Sequence, residues 1–365
     1  MGFRMGIVGL PNVGKSTLFN ALTGTAAARA ANFPFCTIEP NVAEVSVPDA
    51  RLRTLADIAG SGRVVPARMT FVDIAGLVKG ASAGEGLGNR FLANIREVDS
   101  IAHVLRCFAG DDVTHVDGRV DPVADARTVA TELMLADLES VERRLQSPAR
   151  GSKGGQGDAM QRERLLRMAV AALEDGRPAR AVVVDAKDRK AWVELQLLTA
   201  KPVLYVCNVD ENAVASGNAW SMQVAEMAER EGAAHMVISA RIEEEISGLS
   251  DEEARVFLDD MGLAEAGLGR LIAAGYKLLR LRTFFTAGPI EARAWTIREG
   301  TLAPQAASVI HSDFAHGFIR AETVTFEDFV ANQGEQGARE AGRLRAEGKG
   351  YEVKDGDVLH FLFNT

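Results

Sequence analysis

The stretch Met5-Gly6-Ile7-Val8-Gly9-Leu10-Pro11-Asn12-Val13-Gly14-Lys15-Ser16-Thr17-Leu18-Phe19-Asn20-Ala21-Leu22 joins an apolar run to a glycine-bounded turn and then to a helical pattern. Its spacing is that of a phosphate-binding loop between a strand and a helix. Successive backbone N–H groups in such a turn form a concavity for anions, and the helix N-terminus adds partial positive charge. Lys15 would reach the β- and γ-phosphates, and Ser16 would offer its hydroxyl to Mg2+. An unliganded glycine-rich turn has no need of this full spacing with both flanking elements in place. The chain is therefore expected to bind a nucleoside triphosphate through Asn12, Val13, Gly14, Lys15, Ser16 and Thr17.

Further motifs follow in order. Phe71-Val72-Asp73-Ile74-Ala75-Gly76 is an apolar run ending in Asp-x-x-Gly. A carboxylate at Asp73 can hold the Mg2+ shell, and the Gly76 N–H can face the γ-phosphate. Gly80, Gly84, Gly86 and Gly88 then make a segment able to order and disorder with that phosphate. Upstream, Phe33-Pro34-Phe35-Cys36-Thr37-Ile38-Glu39-Pro40 lies where a switch threonine would ligand Mg2+, and Thr37 is the candidate. Cys36 beside it is either a redox-sensitive thiol or a half-buried structural one.

Strand-like runs at Met5–Val8, Met69–Ile74, Ile101–Phe108, Val203–Val209 and Met236–Ser239 alternate with helical patterns. The expected fold class is α/β, a mostly parallel sheet covered by helices on both faces, with ligands at the carboxyl ends of the strands. Residues 1–126 and 201–280 form this nucleotide-binding domain. Residues 127–200 read as an inserted arm of two antiparallel helices, Thr128–Gln146 and Met160 to about Glu174, joined by a Gly/Ser-rich tip. The apolar stripe of the first helix is Val129, Leu133, Leu135, Leu138, Val141 and Leu145. Residues 281–365 read as a small α+β domain.

Charge and composition narrow the function. The 365 residues are 47% hydrophobic and 25% charged, with a formal net charge of −9, a poor profile for a general nucleic-acid binder. One island is basic: from Arg143 to Met168, seven cations (Arg143, Arg144, Arg150, Lys153, Arg162, Arg164 and Arg167) face only Asp158 and Glu163. No apolar run is long enough to span a membrane, and no signal peptide opens the chain. Cys36, Cys107 and Cys207 form no CxxC pair, which suits a reducing cytoplasm, and Cys107 and Cys207 read as inert core residues.

The base-side loops are Val203-Leu204-Tyr205-Val206-Cys207-Asn208-Val209-Asp210-Glu211 and Ile238-Ser239-Ala240-Arg241. They resemble the Asn-Lys-x-Asp and Ser-Ala-Lys loops of GTPases, but Val209 stands at the lysine and Glu211 at the aspartate. A longer carboxylate without the lysine stem departs from guanine recognition. Taken with the blocks Asn32–Asn41 and Val72–Asn89, the order of motifs is similar to the YchF-type, Obg-like ATPases across essentially the whole chain.

That resemblance implies a cytoplasmic, Mg2+-dependent ATPase that hydrolyses ATP to ADP and phosphate as a switch associating with the ribosome, at its large subunit. It places Asn208, Val209, Glu211, Ser239 and Ala240 at the base and removes the guanine preference. Leu77 stands where most relatives carry a water-orienting glutamine, and the family assigns that role to a histidine matched by His115, beside Lys15 and Gly76. His103, inside an apolar run, is the rival and reads as a satisfied core residue. Asn12 matches a K+ ligand of K+-stimulated relatives. The last domain resembles the TGS module, a ubiquitin-like β-grasp, and with the arm it would contact rRNA. The competing readings are an Obg-type GTPase of ribosome assembly and a nucleotide-gated binding module whose turnover is incidental.

Overall fold

The structure, a computed structural model, describes residues 2–30, 41–74, 87–109, 119–146 and 156–364. They form two compact units, 1–44 with 70–275 and 45–69 with 276–365. The strands are β1 (Arg4–Val8), β2 (Val42–Ser46), β3 (Arg63–Val65), β4 (Arg68–Asp73), β5 (Ser100–Cys107), β6 (Val203–Val209), β7 (Ala234–Ile238), β8 (Leu281–Ala287), β9 (Glu291–Arg298), β10 (Phe318–Thr325), β11 (Arg345–Glu347) and β12 (Asp357–Phe363).

The first sheet runs in the order β2-β4-β1-β5-β6-β7. β4, β1, β5, β6 and β7 are parallel. Every residue of β5 and β6 is buried, as strands with both faces covered require. The five expected runs are β1, β4, β5, β6 and β7. β2 and β3 are additional to them, because five residues around Glu44 and three residues beginning with Arg63 carry too little apolar pattern. β1 lies mid-sheet, so the helix Lys15–Ala30 begins from the carboxyl end of a central strand.

The arm helices span Pro122–Gln146 and Gln156–Glu174. The first begins six residues earlier than the periodicity predicts. Asp121 caps it, accepting from the Ala124 N–H at 3.0 Å, and Pro122 occupies the first helical position, where a missing N–H is harmless. Its buried face also departs from the expected stripe. Val129, Leu133 and Val141 are buried with Ala136 and Asp137, whereas Leu135 is 47% exposed. The segment after the second helix folds back, so that Trp192, Leu195 and Leu197 share a core with Val141, Leu165, Leu166 and Ala169. Asp137 pins this return. Its carboxylate accepts from the Leu198 and Thr199 N–H groups, both at 2.8 Å, and from the Thr199 hydroxyl at 2.7 Å. Burial pushes this carboxyl above the usual range, against the pull of those three bonds.

The second sheet has the order β11-β10-β12-β8-β9-β3. β8 and β9 form an antiparallel pair, β12 runs parallel to β8, and β10 pairs antiparallel with both β12 and β11. A first hairpin beside a central last strand is the expected β-grasp order. The sequence-based boundary at 281 needs correction, because this unit also recruits residues 45–69. β3 pairs with β9, and the helix Ala50–Ala59 buries Leu52, Leu55 and Ala56 against Phe285, Ala292, Ala294, Val324 and Val358. Asp49 caps that helix, and Arg51 links Asp49 to Asp355 with both ion-pair contacts at 2.7 Å. The opposite face packs Ala303, Ala306 and Ala307 against Phe284, Leu359 and Phe361. Among the described residues no helix is long and apolar enough to cross a membrane.

Asp137→Ala would leave two buried backbone N–H groups without an acceptor. A loss of about 2–5 kcal/mol is expected from the usual penalty for such groups, measured as a lower urea midpoint at unchanged slope.

Candidate functional site

The phosphate loop folds as its residues dictate. Asn12 and Gly14 both take left-handed backbone angles, with φ of 64° and 89°. Asparagine tolerates that region and glycine enters it freely. At Gly14 the demand is doubled, since a Cβ there would lie 2.1 Å from Asn208 Nδ2. The helix then starts at Lys15, with the Leu18 N–H donating to the Gly14 carbonyl at 3.0 Å. Val13 is buried, Asn12 and Ser16 are exposed, and Thr17 is half-buried.

Asn208, on β6, joins the loop to the segment that begins at Ala240. Its Nδ2 donates to the Val13 carbonyl at 3.0 Å, and its Oδ1 accepts from the Ala240 N–H at 2.9 Å. One buried amide thus spends its donor and acceptor on two separate loops. Ser239 and Ala240 are both buried where the helix Ala240–Ser247 begins. Val209 is buried as the last residue of β6 and presents no exposed stem toward a base. Glu211 lines an open hollow of about 490 Å3 with Asp210, Asn212, Ala213, Gly217 and Asn218. A larger hollow, about 520 Å3, belongs to the second unit and contains none of the motif residues.

Lys15 and Asp73 form an ion pair, each side chain largely buried. The Asp73 N–H donates to the Asn41 carbonyl at 2.8 Å, which fixes the end of β4. The lysine of the loop and the carboxylate at the end of β4 therefore meet at one point. The hydroxyl of Ser16 and the carboxylate of Asp73 are hard oxygen donors of the kind Mg2+ takes, so the described part of the donor set fits that ion. Cys36, Thr37, Gly76, Leu77 and His115 lie outside the described residues.

His103 sits on β5, 4% exposed, with its ring centroid 5.8 Å from that of Tyr205. It is a core residue but not a satisfied one, because Nε2 is buried without a hydrogen-bond partner. Burial, reinforced by nearby Arg180, pushes its pKa down to about 3. Cys107 and Cys207 are buried free thiols, and the Cys107 thiol is pushed far up by its neighbour Cys207 and by burial, which leaves it unreactive.

Two further polar links join segments distant in sequence. Arg241 Nε lies 3.0 Å from Glu211 Oε1, an ion pair between the segment after β6 and the helix Ala240–Ser247. Asn218 caps the helix Ala219–Glu231 through a reciprocal bond with Ser221, and its Nδ2 donates to the Cys107 carbonyl at 2.7 Å. The Asn-x-x-Ser spacing before an apolar run carried the capping signal, whereas the reach to β5 had none in sequence.

A parallel sheet with a phosphate loop after its central strand, and a buried asparagine on β6 bolting that loop to the segment at Ala240, defines a phosphate-loop nucleotide-binding protein of the GTPase type. Residues 4–136 match the family described as 50S ribosome-binding GTPase. Residues 281–364 match YchF-GTPase_C, described as a protein of unknown function (DUF933). Relatives called ribosome-binding ATPase YchF are similar over the full length of both chains: 54% identical in Escherichia coli O157:H7 and 52% in Bacillus subtilis strain 168. The solved structure of the Schizosaccharomyces pombe YchF GTPase superposes with a TM-score of 0.88 at 36% identity, covering 99% of this chain and 98% of that one. The chain belongs to the YchF family.

Asn208→Ala is expected to weaken triphosphate binding about 5- to 150-fold, the equivalent of ~1–3 kcal/mol for an unpaired buried group, measured by calorimetry. His103 gives a second expectation. Its folded pKa lies below the unfolded value, so the unfolded chain binds more protons between those values and stability falls as the pH drops below about 6.5 toward 3. His103→Leu should remove up to ~1.4 kcal/mol per pH unit of that slope, read from urea unfolding between about pH 5 and pH 8.

Proposed function

We propose that this protein binds ATP with Mg2+, hydrolyses it to ADP and phosphate, and uses the cycle to control its association with the ribosome. The observation that carries the reading is the base-side arrangement, in which Asn208 keeps its structural bonds while Glu211, not an aspartate, stands at the hollow. Guanine recognition uses a short carboxylate on N1–H and the exocyclic amine, with a lysine stem over the ring. Here the stem position is buried Val209 and the carboxylate reaches one methylene further. The name ribosome-binding ATPase carried by the bacterial relatives supports the same reading.

In this reading the loop 12–17 cradles the phosphates through backbone N–H groups, and Lys15 leaves Asp73 to meet the β- and γ-phosphates. Ser16 and Asp73, with Thr37, would hold Mg2+, which neutralises charge on the phosphate oxygens when bound. Asn12 would ligand K+. Ser239 and Ala240 line the base. Leu77 cannot orient water by hydrogen bonding, so His115 takes that role, and Gly76 offers its N–H to the γ-phosphate. Intrinsic turnover is then slow and rises on docking.

The ribosomal contact is assigned to the arm and the β-grasp unit, with the TGS-like role of the latter an analogy of fold. Within the basic island, Arg143 pairs with Glu139 at 2.6 Å, Arg167 with Glu163 at 2.8 Å and Arg164 with Asp188 at 2.6 Å. Arg144 donates to the Leu195 carbonyl at 2.8 Å. The pairing with Asp188 instead places the exposed cations Lys187, Arg189 and Lys190 beside the helix that carries exposed Arg162. These are the cations offered to rRNA phosphates, and a cytoplasmic location follows from that partner. A second reading, a GTP-hydrolysing switch, is favoured by the name YchF GTPase that the fission-yeast relative carries.

Calorimetric titration with ATP and with GTP, each with Mg2+, separates the two readings. Tighter ATP binding is expected, and tighter GTP binding would hand the assignment to the second. Replacing Lys187, Arg189 and Lys190 together by alanine should weaken association with purified ribosomes and flatten its salt dependence, with nucleotide affinity unchanged. Cosedimentation across a salt series measures this.

A further inference from the structure

We propose that Arg241 is a positioning residue for the base, holding the Glu211 carboxylate so that it accepts from the exocyclic amine of adenine. The inference rests on the reading of Glu211 as the base-side carboxylate. Glu211 opens a short helical turn, Glu211–Ala213, and Arg241 stands in the first turn of the helix Ala240–Ser247. A surface arginine on a helix has a local partner available four residues on, and here that partner is Glu245. Arg241 Nε lies 3.6 Å from Glu245 but 3.0 Å from Glu211 across the gap between loops. The shorter contact is the long-range one.

That contact lies between the same two segments already joined by Asn208 and Ala240 at 2.9 Å. The two segments are therefore held twice, once by a buried amide and once by an exposed ion pair. The buried bond sets the spacing of the loops. The ion pair fixes the rotamer of a long, flexible carboxylate, which otherwise loses that freedom when a base binds. With Oε1 engaged by Arg241, Oε2 remains to accept. Adenine presents an N–H donor at its 6-position, whereas guanine presents a carbonyl oxygen there, and two acceptors facing each other gain nothing.

The pair is exposed, with side chains 74% and 41% accessible, so its effect is modest and screened by salt. The quantity to measure is the ratio of GTP to ATP dissociation constants, in which phosphate and Mg2+ contributions cancel. Arg241→Ala should lower that ratio about two- to fivefold, the range open to an exposed ion pair. Arg241→Lys should restore part of it, since a point charge replaces a planar fork. Glu245→Ala should keep the wild-type ratio or raise it, because it removes the competitor. In the wild type the ratio should fall as NaCl rises from about 0.05 to 0.5 M, and in Arg241→Ala it should not. Glu211→Gln is the reference. If it shifts the ratio while Arg241→Ala does not, the positioning role is overturned and the base reading survives. If Glu211→Gln leaves the ratio unchanged, the reading of Glu211 fails and the inference with it.

Discussion

The architecture of the site depends on one side-chain amide. Asn208 donates to the Val13 carbonyl and accepts from the Ala240 N–H, while Gly14 passes so close that any Cβ would collide with it. The loop backbone has to be held at Val13, and the segment at Ala240 has to be held at a fixed distance from β6. A single buried group meets both needs because it carries one donor end and one acceptor end. The conformation of Gly14, the start of the helix at Lys15 and the placing of Ala240 all follow from where that amide sits.

The pairing of Lys15 with Asp73 has a related logic. Neither charge is left alone in a partly buried place, where an isolated ion is expensive. In the proposed reading a triphosphate and its metal would each take over one member of this pair, the lysine meeting phosphate oxygens and the carboxylate a cation.

Much of this is legible in the residues, for identifiable reasons. The phosphate loop, the strand ending in Asp73 and the strand ending in Asn208 are local, with spacing and chemistry carried by consecutive residues. The parallel core strands are legible because burial on both faces leaves them uniformly apolar. What escapes is long-range or polar. The arm's first helix reads as a stripe of valines and leucines, yet its buried face includes Asp137, whose partners lie more than sixty positions away at Leu198 and Thr199. His103 reads as a core residue with its needs met, but whether a ring nitrogen finds a partner is decided by the neighbours that the fold supplies. The basic island is uniform in sequence, and only tertiary pairing separates Arg164, tied to Asp188, from the cations left facing solvent.

The residues 45–69 give the β-grasp unit a different topological status from a tail added to the end of an enzyme. Its sheet is completed by β3, and one face of its core is closed by the helix Ala50–Ala59, both encoded far upstream of residue 276. The polypeptide threads this unit before the first one is finished, then returns to it. A fragment cut at 281 would bare Phe285, Ala294 and Val358, and a graft of that fragment onto another protein would carry an unfinished hydrophobic face. The two units are thus inseparable as folding modules even where the sequence similarity of 281–364 marks a clean border. The segment 45–69 is encoded well before β8, β9, β10 and β12, so the face it closes can be completed only after those strands have been made.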